Sequence, residues 1–202
     1  MSIERASEIR RVALLAFCLL SSTQFVCGEP PPTSVEAKLL EKGWDFHRGD
    51  IKIEWIGINV TSRPNADPKP ITVIGRGDDG NKNDDDLPAI GQLRALQVVM
   101  DFSGAFDDRY LDALNVKAPL RALVIPGSKI TDAGLKRLDD FPGLEHLDLA
   151  FCTIGDESIS TLSRFKYLRK LNIYRTLITD PEREKLEQTL PNCEFYDFDW
   201  HF

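Results

Sequence analysis

Leu120-Arg-Ala-Leu123-Val-Ile125 recurs as Leu144-Glu-His-Leu147-Asp-Leu149 and again as Leu168-Arg-Lys-Leu171-Asn-Ile173, each copy 24 residues after the last. The register persists beyond the quoted hexamers, through Ile130, Ile154 and Ile178, then Asp132, Asp156 and Asp180, then Leu138, Leu162 and Leu186. A step back finds a worn copy at Leu96, Val99, Phe106, Asp108, Leu111 and Leu114, with Asp101 where an apolar residue belongs. A fainter one holds Asp84, Leu87 and Ile90 behind the run Ile71-Thr-Val-Ile74, which makes about five repeats. Fixed-period self-similarity of this kind marks a solenoid.

Each unit reads as one piece of supersecondary structure. The alternation in L-x-x-L-x-L suits a short strand with one face buried. Turn residues such as Pro126-Gly127-Ser128 follow. Asp132 and its equivalents then precede an i, i+3 apolar pattern, the place for a side chain that caps free helix N–H groups. One strand–turn–helix unit cannot bury its own apolar face, so neighbours must stack. The expected fold is α/β, a parallel concave sheet with convex helices.

Outside the repeats the composition changes. Arg5, Arg10 and Arg11 precede the nine apolar residues Val12 to Leu20, and Val26-Cys27-Gly28 offers a processing site. Residues 1–28 are therefore read as a secretory signal peptide cleaved after Gly28, since nine apolar residues are about half of the roughly 20 that span a bilayer. Gln24, Phe25 and Val26 are too bulky before Cys27 for lipid attachment to be the favoured processing. The mature chain would carry a charge of −8 against −7 for the whole. That balance, without a basic run, excludes a nucleic-acid partner. Glu29-Pro-Pro-Pro32 makes residues 29–33 a linker. Residues 34–70, with an amphipathic stretch from Ser34 to Lys42 and strand-like runs from Trp44 to Val60, form an N-terminal cap. Residues 71–198 hold the repeats and 199–202 a tail. Leu190-Pro-Asn-Cys193 interrupts the period by one residue and opens a last strand with Tyr196 and Phe198 inward, over which Trp200 and Phe202 fold.

Lys129-Ile-Thr-Asp-Ala-Gly-Leu-Lys-Arg-Leu138, Thr176-Leu-Ile-Thr-Asp180 and the closing Leu190-Pro-Asn-Cys193 resemble the leucine-rich repeats of exported bacterial proteins, in the subtype also called cysteine-containing. The resemblance spans about residues 70 to 198, and the N-terminal segment resembles the cap that precedes such repeats. It implies a solenoid that binds a protein or envelope component. Fold alone does not fix activity. The resemblance also places Cys152 where these repeats hold Asn, Cys or Thr, buried against loop backbone. Cys193 lies two strands on, roughly 10 Å away and beyond the roughly 7 Å reach of a disulfide, so both thiols are expected free and mostly buried.

The expected binding surface is the concave face, where Phe102, His146, Asp148, Phe151, Asn172, Tyr174 and Arg175 occupy non-core positions of successive repeats. Exposed aromatic and Arg side chains bring large contact area at little entropic cost. His146, beside Glu145, is expected to be a solvated surface residue. Other motifs carry less. Asp79, Asn81 and Asn83 alternate as in the first half of a calcium loop, but Asp84 stands where Gly is needed and Ile90 where Glu is needed. Arg48-Gly49-Asp50 and Asn59-Val60-Thr61 match adhesion and glycosylation triplets that recur by chance. His47, His146 and His201 are scattered, and no hydrolase, metal or phosphate-loop motif is present, so neither catalysis nor a cofactor is expected. An interaction module is the leading reading. A structural or assembly subunit that uses its caps or convex helices comes second, and a hydrolase is remote.

Overall fold

The computed structural model describes residues 34–41, 44–48, 51–53, 58–60, 71–75, 87–114 and 116–197. The expected signal peptide (residues 1–28) and expected linker, the acidic run 78–86, Gly49 and Asp50, Thr61, and Phe198 with the tail lie outside the described residues.

The leucine register builds the sheet. Strands β5 (Leu96–Asp101), β6 (Ala122–Val124), β7 (His146–Asp148), β8 (Lys170–Asn172) and β9 (Glu194–Phe195) run parallel side by side. They pair Val99 with Leu123, Leu147, Leu171 and Phe195, each 24 residues on. The period is thus unbroken at β9, against the one-residue interruption expected from Leu190-Pro-Asn-Cys193; the irregularity is taken up in the turn before the strand. Phe195 packs on the core and Tyr196 points the other way, which corrects the inward placement of Tyr196. At the opposite edge β4 (Ile71–Gly75) joins β5 with a register shift, and β1 (Trp44–Arg48) pairs β4 antiparallel, ending the stack. A separate hairpin joins β2 (Ile51–Ile53) to β3 (Ile58–Val60).

One apolar cluster runs the length of the solenoid between sheet and convex layer. Leu123, Leu147 and Leu171 from the strands meet Ile130, Ile154, Leu135, Leu138, Leu162 and Leu186 from the return segments. Truncating any of these fully buried leucines to Ala is worth about 2–5 kcal/mol. The N-terminal end is closed by Leu39 of helix α1 (Ser34–Glu41) and by Trp44, whose ring lies 6.0 Å from Tyr110, itself stacked on Phe106 at 4.9 Å. Asp101, the polar intruder of the worn repeat, is buried and accepts from the Ser103 hydroxyl at 2.7 Å. No described helix is long and apolar enough to cross a membrane.

The convex segments are shorter than the periodicity suggests. Helix α2 (Leu87–Ile90), α4 (Asp132–Leu135) and α5 (Ile159–Leu162) are single turns, α3 (Asp108–Ala113) is little longer, and only α6 (Asp180–Thr189) is a full helix. The role expected of Asp132 also changes. Thr131 is the N-cap of α4, its hydroxyl accepting from Gly134 N–H at 3.1 Å. Asp132 reaches across to the next repeat instead, accepting from Gly155 N–H at 2.9 Å and from the Ser158 hydroxyl. Asp108 does the same for Thr131 N–H at 2.9 Å, and Asp156 for Thr179 N–H at 2.8 Å. The repeated aspartate is therefore a spine between repeats, satisfying backbone donors that stacking would leave unpaired. Repeating strand, turn and short helix around one continuous core make the protein a leucine-rich-repeat solenoid.

Candidate functional site

On the concave side, two rows of non-core positions cross the sheet. The first runs Val98, Ala122, His146, Lys170, Glu194, and the second Met100, Val124, Asp148, Asn172. The rows change character halfway. Val98, Met100, Ala122 and Val124 are apolar and buried although none belongs to the core cluster, so this part of the concave face is covered.

The polar half is also less open than its composition suggests. Asp148 and Asn172 were expected at the binding surface, yet both are 0% exposed. A buried carboxylate persists only with its acceptor sites used. Asp148 accepts from Ala150 N–H at 3.0 Å, from the Asn172 amide at 3.0 Å and from the Tyr196 hydroxyl at 3.2 Å. Asn172 in turn accepts from Tyr174 N–H at 3.0 Å. These two residues lock the last turns in place and are removed from the contact surface. Burial, with the Asp148 carboxylate beside it, pushes the Tyr196 hydroxyl far up, so it stays a donor.

His146 is half-buried, against the expected solvated role, and its Nδ1 is buried without a hydrogen-bond partner. Burial, opposed by Glu145 and assisted by Lys170, Arg121 and Arg169, pulls the imidazole down to about 4, so it is neutral near pH 7. Glu145 is held below the usual carboxylate range by Arg121, which grips it through two bonds at 2.9 and 3.0 Å.

Three of the expected residues do meet. Phe151 and Tyr174 stand edge to face with ring centroids 5.8 Å apart, and the Arg175 guanidinium lies 5.8 Å from the first ring and 5.5 Å from the second. They occupy the turns after β7 and β8, at the rim of the concave face. Phe102 is half-buried in the turn after β5, three repeats before Tyr174 and so roughly 14 Å away along the sheet; it lies outside the cluster, as does His146.

The backbone beneath this cluster was not foreseen. Phe151 and Arg175 have φ of 62° and 54°, the left-handed region, and are the only non-glycine residues there among those described. The signal was present in the repeat, because Gly127, one period before Phe151, holds φ 68°. The turn requires it. In this conformation Gly127 N–H donates to Ala150 O at 2.7 Å and Phe151 N–H to Tyr174 O at 2.8 Å, continuing the parallel ladder beyond the strands. A residue with a Cβ there costs roughly 1–2 kcal/mol relative to glycine.

The two described cysteines are both held as thiols. Cys152 is free and buried, sharing a 3.2 Å hydrogen bond with the Ser128 hydroxyl, and burial pushes its thiol up to about 11. Cys193 is free but only half-buried, and burial raises it likewise to about 11. Among the described residues, no group of three His, Cys, Asp or Glu is placed to hold a metal ion.

The leucine-rich-repeat family model matches residues 144–163, the β7 repeat. Among solved structures, a leucine-rich-repeat protein of Leptospira interrogans is 20% identical, with a TM-score of 0.35, over 54% of this chain and 33% of that one. An internalin of Listeria monocytogenes is 15% identical, with a TM-score of 0.33, over 55% of this chain and 44% of that one. The chain thus spans a third to under half of their lengths. No curated protein matches the sequence.

Proposed function

We propose that the protein is an exported, non-enzymatic interaction module that holds a protein partner at the rim of its concave sheet, on the surface built from Phe151, Tyr174 and Arg175. The observation that carries this reading is the backbone under the cluster. Two successive repeats place a large side chain where the turn favours glycine, and Gly127 shows that the same turn forms without one. Left-handed strain held by non-glycine residues is concentrated at functional positions. The side chains it presents are an aromatic pair and a guanidinium, the types that dominate binding energy at protein interfaces. Export rests on the signal-peptide pattern of residues 1–28. The leucine-rich-repeat fold, widely used for protein recognition, supports the same reading without naming the partner.

The test uses the double variant Phe151→Gly/Arg175→Gly as bait beside the native protein, in affinity capture from the envelope and medium of the producing cell. Glycine suits both backbone positions, so the variant is expected to fold with an unchanged unfolding temperature and to lose the partner. Capture of the same partner by the folded variant refutes the proposed surface.

A further inference from the structure

The opposite edge of the sheet, where the strands begin, carries a second surface that shares no residue with the first. The chain as a whole is acidic, with a net charge of −7. Yet Arg164, Lys166, Arg169 and Lys170 fall within seven residues, and the stacking brings Arg121 to the same edge through Glu145. Among the described residues, the carboxylates in ion-pair contact with these five cations are Asp139 with Arg164 at 2.7 Å, Glu145 with Arg121 and at 3.9 Å with Arg169, and Glu194 with Lys170 at 3.3 Å. Lys166 has a carbonyl, Ser163 O at 2.7 Å, and no carboxylate. Five cations thus face three carboxylates. Arg169 shares its carboxylate with the better-seated Arg121 and is 75% exposed. Between Lys166 and Arg169 stands Tyr167, 70% exposed, the most exposed large hydrophobic residue among those described.

We infer that this edge docks an acidic segment of a protein, its carboxylates drawn to Lys166 and Arg169 and an apolar side chain resting on Tyr167. Charge complementarity selects the sign of the partner, and the pattern selects its class. The cations are interspersed with Glu145, Glu194 and Asp139, so a uniform polyanion such as a nucleic acid or an anionic bilayer meets repulsion within the same patch. Its binding would rest on dense, uninterrupted positive charge. A peptide whose carboxylates alternate with other residues can match an interrupted pattern, and tyrosine is enriched at protein interfaces.

The test is fluorescence anisotropy of the full chain with a short labelled peptide in which glutamates alternate with leucine and serine, at about 50 mM and about 300 mM salt. Native protein is expected to bind it, more weakly at the higher salt. Lys166→Gln/Arg169→Gln is expected to bind at least tenfold more weakly with an unchanged unfolding temperature, and Tyr167→Ser to weaken binding severalfold at both salts. The variant Phe151→Gly/Arg175→Gly should bind this peptide normally, which separates the two surfaces. Absence of native binding, equal binding of the lysine-for-glutamate peptide, or undiminished binding by the folded glutamine variant overturns the inference. So does binding of phosphatidylserine-containing vesicles without binding of the peptide.

Discussion

The two halves of the concave face share one backbone and differ in almost everything attached to it. From β5 to β6 the rows read Val98, Met100, Ala122 and Val124, all buried; from β7 to β9 they read His146, Asp148, Lys170, Asn172 and Glu194. The core-facing row does not vary in this way: Val99, Leu123, Leu147, Leu171 and Phe195 stay apolar throughout, because stacking demands an apolar residue at every level. What faces away from the core is free of that demand. The contrast teaches that the period governs the frame, while the concave rows record what each region meets: a cover in one half, a hydrogen-bonded network and a strained rim in the other.

The sharpest way to break this contrast is to put a charge into the covered half. Val124→Asp is expected to cost about 3–5 kcal/mol, because an unpaired carboxylate would be buried on the concave side. The denaturation midpoint reads the loss. A cost under about 1 kcal/mol would mean that the concave side at β6 is open to water, and the two halves would then differ in composition alone.

In the polar half the corresponding change is Asp148→Ala. It leaves Asn172, the Tyr196 hydroxyl and Ala150 N–H without their shared acceptor, and the expected loss is about 2–3 kcal/mol in the same measurement. A nearly neutral Asp148→Ala would show that the network is solvated and that Asp148 is available for contact after all.

How far the sequence carried this picture follows from the same division. Leucine spacing revealed the strands, their parallel order and the core, since burial enforces the pattern at every level. The candidate site was legible only where its residues are large and unusual: Phe151, Tyr174 and Arg175 stood out and do cluster. Asp148 and Asn172 misled because a polar residue at a non-core strand position reads as solvent-facing. Asp148 accepts from Tyr196, two full periods on, so the spacing itself is in register; what periodicity does not reveal is that a tyrosine outside the apolar positions of the repeat turns its hydroxyl onto that carboxylate. The aspartate spine was misread for a related reason. Asp132 sits beside a helix start, where capping is the local expectation, but its partners Gly155 and Ser158 belong to the next repeat. Gly134 marks the same geometry, since a Cβ there would collide with the Asp108 carboxylate.

A smaller effect sharpens the contrast through pH. The ordinary histidine value is 6.5, and His146 in the fold is held at about 4. The unfolded chain therefore binds the proton first on acidification. Stability from this residue is complete above pH 6.5, declines as pH falls from 6.5 toward 4, and is level below that. Because the ring is only half-buried, the span is about 1 kcal/mol after solvent screening. His146→Gln is expected to flatten unfolding free energy across that window. Glu145, held low by Arg121, adds its own loss only below its ordinary 4.5, so the two contributions separate by pH. An unchanged slope between pH 6.5 and 4 in His146→Gln would assign the dependence elsewhere.

The smallest expected effect isolates the rim. Gly127 and Phe151 hold the same turn one repeat apart, and a Cβ at Gly127 would meet nothing within 4 Å. Gly127→Ala therefore reads the left-handed backbone cost with little packing change, and a loss of about 1 kcal/mol is expected. Phe151→Gly recovers that amount but removes the ring contact with Tyr174, worth about 0.5–1.5 kcal/mol, so its net change should lie near zero. Equality of the two magnitudes with opposite sign would mean that the Phe151 ring contributes nothing to folding. A loss in Phe151→Gly larger than about 1.5 kcal/mol would instead make the ring a structural element, held in its left-handed turn by folding and not by contact with a partner. A near-zero value leaves a side chain that the fold accommodates at a cost and does not need, which is the condition expected of a residue kept for contact with another molecule.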